Sequence, residues 1–318
     1  MLNDSLVYPT VFELIVAVLG SVLTCSLALA YLGRVRLERP AIGTFNRRDI
    51  TILFVFIVGL PLLYTVVPMW LLTTFLVLTF VAATSIGYKP VLGTTRVWLV
   101  IGLLVGANFW MTRNLLGTVV GWQIYWIENS VLVVLAAVAV ANLYIQGGMR
   151  LKHVSWFALA LAVYDGIFTL KWPVTNELAE RFLGYPLDPS VGFRMGIYNA
   201  SIGLGDLLVY ALFLIAAYKA YGRVAARVAF GITVVFGAVI PAVAPLVFRA
   251  LIDARTDLVV PAQTAFGPVA FLCYLWFKRR YGPERTMAEF LADSAVAAPE
   301  QVEAPVLSPV PVPERATV

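Results

Sequence analysis

Residues 156–170 read WFALALAVYDGIFTL and residues 197–210 read IYNASIGLGDLLVY. Each run is apolar enough to belong to a membrane span, and each carries one carboxylate, Asp165 in the first and Asp206 in the second. An ionisable side chain held in hydrocarbon is costly, which makes it a functional-site candidate by default. Two of them, on successive apolar segments joined by a polar connection, predict one shared site.

The composition of the whole chain agrees with a membrane setting. Apolar residues make up 61% of the 318 residues and charged residues 13%, and the mean hydropathy is +0.87. A soluble core does not need that much apolar surface, whereas a polytopic membrane protein does. The net charge of +5 does not form one basic patch. Its Lys and Arg residues sit between apolar runs, where they act as topology signals, and nucleic acid is not an expected partner. Cys25 and Cys273 each fall inside an apolar run and read as small buried hydrophobes, with no disulfide or metal spacing. His153, beside Arg150 and Lys152, reads as an interfacial residue.

Counting runs of about 20 apolar residues gives nine spans and an all-α, polytopic fold over residues 1–280. The first covers Val11 to Leu32. The stretch from Ile50 to Ile86 is too long for one helix and divides near Pro68. A fourth span runs from Val97 to Met111 and a fifth from Gln123 to Ile145, with Trp122 and Trp126 suited to the membrane interface. The sixth ends near Lys171, the seventh covers Arg194 to Tyr218, the eighth Val224 to Val247 and the ninth Leu258 to Phe277. Between the sixth and seventh, Thr175 to Phe182 predicts a short amphipathic helix capped by Thr175. Residues 281–318, rich in Pro, Ala, Val and Glu, predict a disordered tail. The basic connections gather on the side of the first loop and the C-terminal flank. That bias predicts a cell-membrane protein with its N-terminus outside and its C-terminus in the cytoplasm.

Two carboxyl groups close together in a low-dielectric site share one proton, because like charges oppose the second ionisation. The ionised partner can take a proton from water while the protonated one donates to a carbonyl oxygen. Such a pair hydrolyses a peptide bond without a covalent intermediate, and the chain presents no metal cluster, nucleophile elbow or phosphate loop beside it. Gly203 and Gly205 leave the approach to Asp206 free of side chains. Tyr164 is placed to pack on the pair or to hydrogen-bond with it. Glu13 and Glu128 read as snorkelling or helix-paired carboxylates, and Asn108 and Asn142 as interhelical hydrogen-bonding residues.

Tyr164-Asp165 in the sixth span and Gly203-Leu204-Gly205-Asp206 in the seventh resemble the paired YD and GxGD motifs of the intramembrane aspartyl proteases, the presenilins and signal peptide peptidases. A third family motif, Pro-Ala-Leu, is matched in two positions of three by Pro261-Ala262-Gln263 at the start of the ninth span. A competing Pro241-Ala242-Val243 lies late in the eighth. The resemblance covers the chain to about Arg280 and implies a presenilin-like nine-helix protease of prokaryotic type. It implies that Asp165 and Asp206 are the catalytic pair and that Pro261 and Ala262 shape the site, with no metal or cofactor. It also implies that the substrate is a transmembrane helix of another membrane protein. Gln263, counted with Pro261, Ala262, Tyr164, Gly203, Leu204 and Gly205 as site-shaping, departs from the family's leucine. The short connection between spans six and seven implies an uncut single chain, and the outside N-terminus is the signal peptide peptidase arrangement, implying substrates whose N-terminus lies inside. Homo-oligomers are compatible with this picture, and no obligate partner subunit is evident. Three alternatives remain open: a proton- or sodium-coupled secondary transporter using the same aspartates, a non-proteolytic relative that binds membrane helices as an escort, and a prepilin-type peptidase. Against the last, Leu207 and Leu208 stand where its motif usually continues to a lysine.

Overall fold

The computed structural model describes residues 4–37, 66–170, 181–195, 198–252 and 261–296, with isolated positions 48, 51, 52, 55 and 59 between the first two stretches. Among the described residues are nine helices and one two-stranded sheet. Helix α1 is Asp4–Arg34, α2 Met69–Leu92, α3 Thr94–Asn114, α4 Val119–Gln146 and α5 Leu151–Leu170. Strands β1 (Ser190–Met195) and β2 (Tyr198–Gly203) precede α6 (Leu204–Tyr221). Helix α7 has three parts: Arg223–Ile232, a π-helical segment Thr233–Val239, and Ile240–Ile252. Helices α8 (Ala262–Tyr281) and α9 (Met287–Val296) complete the order.

Six of these helices are long and apolar enough to cross a membrane: α1 over Thr10–Arg34, α2, α3, α4, α6, and α7 over Arg223–Phe248. The chain is a multi-pass, membrane-embedded protein by that criterion. The expected second span falls mostly outside the described residues, as does the amphipathic helix from Thr175. Apolar side chains left outside the bundle form helical stripes rather than scattered points. On α1, Leu19, Leu23 and Leu27 are exposed at a four-residue spacing, the pattern of a face turned to lipid.

Helix α6 is the hub. Every residue from Val209 to Ala217 is buried, and α1, α4, α5, α7 and α8 all pack on it. Its small residues, Ala211, Ala216, Ala217 and Ala220, let neighbouring backbones approach closely, which is how membrane helices associate without a hydrophobic driving force. The π-helical part of α7 presents the Gly237 carbonyl to the Tyr210 hydroxyl at 2.7 Å. A Cβ on Gly237 would lie 2.7 Å from the Tyr210 ring, so only glycine admits that contact. Asn142 of α4 donates to the Ala28 carbonyl of α1 at 3.2 Å, the interhelical role expected for it. Both cysteines are buried and unpaired to each other.

The structure corrects the sequence reading in three places. Residues 194–195 and 198–203, expected as the start of the seventh helix, are strand. The fold is thus helical with one hairpin rather than all-α, and α6 begins only at Leu204. The reason is a two-residue alternation inside an apolar stretch. Cross-strand pairs Val191/Ile202 and Phe193/Ala200 share one face. That face turns to α1, where a Cβ on Gly20 would meet Ile202 at 3.3 Å and Phe12 lies 6.4 Å from Phe193. Gly192 faces α4, where Trp126 leaves no room for a Cβ. This is the second correction: Trp126 is 1% exposed, inside the protein rather than at the membrane interface. The third concerns the tail. Thr286 and Glu289 form a reciprocal capping box, with Thr286 N–H donating to Glu289 Oε2 at 2.6 Å and Glu289 N–H to Thr286 Oγ1 at 3.3 Å. That cap starts α9, whose Phe290 packs on Tyr218 at 5.7 Å. Residues 297–318 lie outside the described residues.

Candidate active site

The packing of α5 on α8 sets the geometry. On α5, Ala158, Ala162 and Gly166 recur every four residues and form a shallow groove along one face. Helix α8 lies in it so closely that a Cβ on Gly267 would sit 2.3 Å from the Ala158 carbonyl oxygen and 2.8 Å from the Ala162 Cβ. One turn before Gly267, on the same buried face, stands Gln263. Asp165 lies at the end of the α5 groove, next to Gly166.

Asp206 comes from a different element. Gly203, with φ −68° and ψ 148°, ends strand β2 and starts α6, which puts Asp206 in the first helical turn. A carboxylate is favoured there by the unpaired N–H groups and the helix dipole.

Gln263 joins the two. Its side-chain Nε2 donates to Asp206 Oδ1 at 2.8 Å, and its backbone N–H donates to Asp165 Oδ2 at 3.3 Å. Both aspartates are half-buried, and Gln263 is 4% exposed. The residue that departs from the family motif is therefore the contact between the two carboxylates. Sequence reasoning counted Gln263 among the site-shaping residues and flagged its departure from the motif, but did not foresee it as the contact between the aspartates. The available signal was a glutamine within the first turn of an apolar helix, two residues after Pro261.

The other expected site residues are placed as follows. Pro261 caps α8 in extended conformation, and its carbonyl accepts from Thr264 N–H at 3.2 Å and Thr264 Oγ1 at 2.6 Å. Ala262 is half-buried beside it. Gly203 lies against the pair: a Cβ there would be 3.5 Å from Asp206 Oδ2. Gly205 is exposed, with nothing within 4 Å of where its Cβ would be, so the approach from that side is open. Leu204 N–H donates to the Pro189 carbonyl at 2.8 Å. With Phe80, Leu132, Leu208 and Leu212, Leu204 bounds an apolar cavity of about 300 Å³. Tyr164 is not brought onto the pair by a hydrogen bond. Its ring packs on Phe168 at 4.5 Å, and its buried hydroxyl has no hydrogen-bond partner among the described residues. Pro241 and Ala242, of the competing motif, sit within α7.

A second polar cluster fixes the hairpin that leads to Asp206, and it was only half visible in the sequence. Asn108 of α3 donates to Glu128 Oε2 at 2.7 Å and accepts from Leu187 N–H at 2.8 Å. Asn129 Nδ2 donates to the Asp188 and Ser190 carbonyls, each at 2.9 Å. Ser130 Oγ exchanges hydrogen bonds with both backbone groups of Gly192 at 3.2 Å. Helix α4 thus closes the outer edge of β1. Because Gly192 turns both groups outward, its partner Ser201 does the same on the opposite side. Among the described residues nothing hydrogen-bonds to the outer edge of β2, which ends three residues before Asp206.

Asp188, in the connection before β1, is 4% exposed. Burial raises its carboxyl to about 7, against the opposing hydrogen bonds from Ser190. A carboxyl raised in the fold binds more protons folded than unfolded, so its effect on stability falls as pH rises from about 4 towards 7. Hydrogen-exchange protection of the hairpin amides is expected to weaken across that window. Asp188→Asn should flatten the dependence, and an unchanged slope in that variant would contradict the assignment.

No known family model matches this chain, and no curated protein matches it.

Proposed function

We propose that the chain is an intramembrane aspartyl endopeptidase that hydrolyses peptide bonds within transmembrane segments of other membrane proteins. The observation that carries the proposal is the convergence of Asp165 and Asp206, from separate apolar helices, on the two donors of Gln263. Two carboxylates are not brought onto one residue inside a helical bundle for packing alone, since each costs desolvation.

In the proposed reaction the ionised carboxylate takes a proton from water as the water oxygen attacks the peptide carbonyl carbon. The protonated carboxyl gives its proton to the carbonyl oxygen, which forms a neutral tetrahedral diol. Collapse of the diol breaks the C–N bond. The leaving nitrogen receives a proton from the pair, and the second diol proton returns to it. One water is consumed, no group is left on the enzyme, and the pair is restored.

A peptide carbonyl within a helix is shielded by its own hydrogen bond, so the substrate must unwind locally. The open edge of β2 supports this step. Ser201 is exposed and turns its backbone groups outward, a fit for an extended segment added as a third strand. The apolar cavity beside Leu204 and Leu208 is suited to the aliphatic side chains such a segment carries. We further infer a cell-membrane location with the N-terminus outside, an uncut chain, and substrates whose N-terminus lies inside.

The test is cleavage of a single-span reporter by the purified protein in lipid vesicles. Fragments cut within the span are the expected result. Intact reporters, together with proton or sodium flux that needs both aspartates, would overturn the proposal in favour of a transporter.

A further inference from the structure

Gln263 has one more polar atom than the dyad uses. Its Nε2 donates to Asp206 Oδ1, and with Asp206 as the ionised partner of the pair this sets the orientation of the amide: turned over, Oε1 would face a carboxylate oxygen, acceptor against acceptor. Oε1 therefore points away from Asp206. It is buried and has no hydrogen-bond partner among the described residues. A buried acceptor left unbonded is costly, and native structures rarely keep one without a use. The Pro261 carbonyl, two residues earlier, is already taken twice by Thr264. Among the described residues, Gln263 Oε1 is the buried side-chain acceptor of α8 left without a partner.

Its position relative to Asp206 narrows the donor. Asp206 Oδ1 faces Gln263, while Oδ2 faces the end of β2 at Gly203. A peptide lying across Asp206 thus has the open strand edge on one flank and Gln263 on the other. Backbone groups of an extended chain point alternately to its two sides. Those that do not pair with β2 face α8, and an N–H among them needs an acceptor there.

We propose, resting on the protease assignment, that Gln263 Oε1 receives one backbone N–H of the extended substrate beside the scissile bond. Gln263 is then a specificity-determining residue as well as the clasp between the aspartates. The preferred substrate class is a locally unwound segment with an unsubstituted amide at that position. Proline or an ester there is disfavoured. In the substrate-free protein the acceptor is closed off, and the cost of leaving it unbonded is recovered when the donor enters.

The experiment uses the full-length protein in lipid vesicles and a reporter whose scissile amide is kept. Flanking amides are replaced one at a time by esters, which removes a single N–H each. In the wild-type protein, one position is expected to lose about tenfold or more in kcat/KM. In Gln263→Leu and Gln263→Met that position should lose no more than its neighbours, because no acceptor remains to miss the N–H. Equal ester penalties in the wild type and both variants, with cleavage intact, would overturn this inference and leave the protease standing. Absence of wild-type cleavage of any reporter would overturn the protease assignment itself. Should a variant lose turnover, binding of a non-cleavable hydroxyethylene peptide and its ester analogue reads the same coupling. The ester should weaken binding to the wild type and not to Gln263→Met, and equal weakening in both would overturn the inference.

Discussion

Asp206→Asn and Asp165→Asn are each expected to abolish peptide hydrolysis, with a fall of about 10⁴-fold or more in kcat and an unfolding midpoint that stays level or rises. Asparagine keeps the shape of the side chain, and Gln263 Nε2 can still donate to its carbonyl oxygen. What disappears is the ability to take and return a proton, and removing that from one partner disables the pair, since neither acid nor base works alone. Stability should not suffer, because a buried charge replaced by a neutral isostere sheds its desolvation cost. Turnover of each purified variant, measured beside its thermal midpoint, checks both halves. Residual cleavage in either variant above a hundredth of wild type would contradict the assigned roles.

Gly267→Val carries the second large effect, and it acts without touching either aspartate. The new Cβ would fall 2.3 Å from the Ala158 carbonyl oxygen, a backbone atom that cannot move aside on its own. Helices α5 and α8 must separate, at a cost of about 1–3 kcal/mol or more for overpacking. Gln263 lies one turn away on the same face of α8, so its two donors shift with the helix. A displacement near 1 Å at a reacting centre costs about 10²-fold in rate. Gly267→Val is therefore expected to lower kcat by at least that much, together with a lower thermal midpoint. Gly102→Ala on α3 provides the contrast, because Gly102 is exposed, no other part of the described fold lies within 4 Å of its Cβ position, and little should change. Similar losses in the two variants would argue against the packing account.

The two aspartates were legible in the sequence because a carboxylate amid a run such as ALAVYDGIF has no ordinary place in hydrocarbon. The apolar runs forming α1, α2, α4 and α7 were legible for the complementary reason, being long and uninterrupted. The hairpin was not. Its alternation, Val191 with Phe193 and Ala200 with Ile202, lasts only a few residues and merges into the apolar start of α6, so a period of two and a buried helix look alike there. What decides it is tertiary: α1 covers one face, and Asn129 and Ser130 of α4 close one edge. Gln263 was legible as an anomaly but not as a clasp. Its partners lie 98 and 57 residues away, and no local pattern encodes such contacts. Helix α9 was hidden by the Pro- and Ala-rich composition around it, although its Thr286 and Glu289 capping box carries the usual spacing.

The central claim is that water, activated by Asp165 and Asp206, cuts a peptide bond inside a membrane segment. The most direct measurement is digestion of a single-span reporter in vesicles made up in ¹⁸O-labelled water, with mass spectrometry of the fragments. The account predicts a new C-terminus within the span carrying one labelled oxygen, formed by the wild-type protein and absent with either aspartate replaced by asparagine. An intact reporter, or fragments that form equally well without the aspartates, would contradict it.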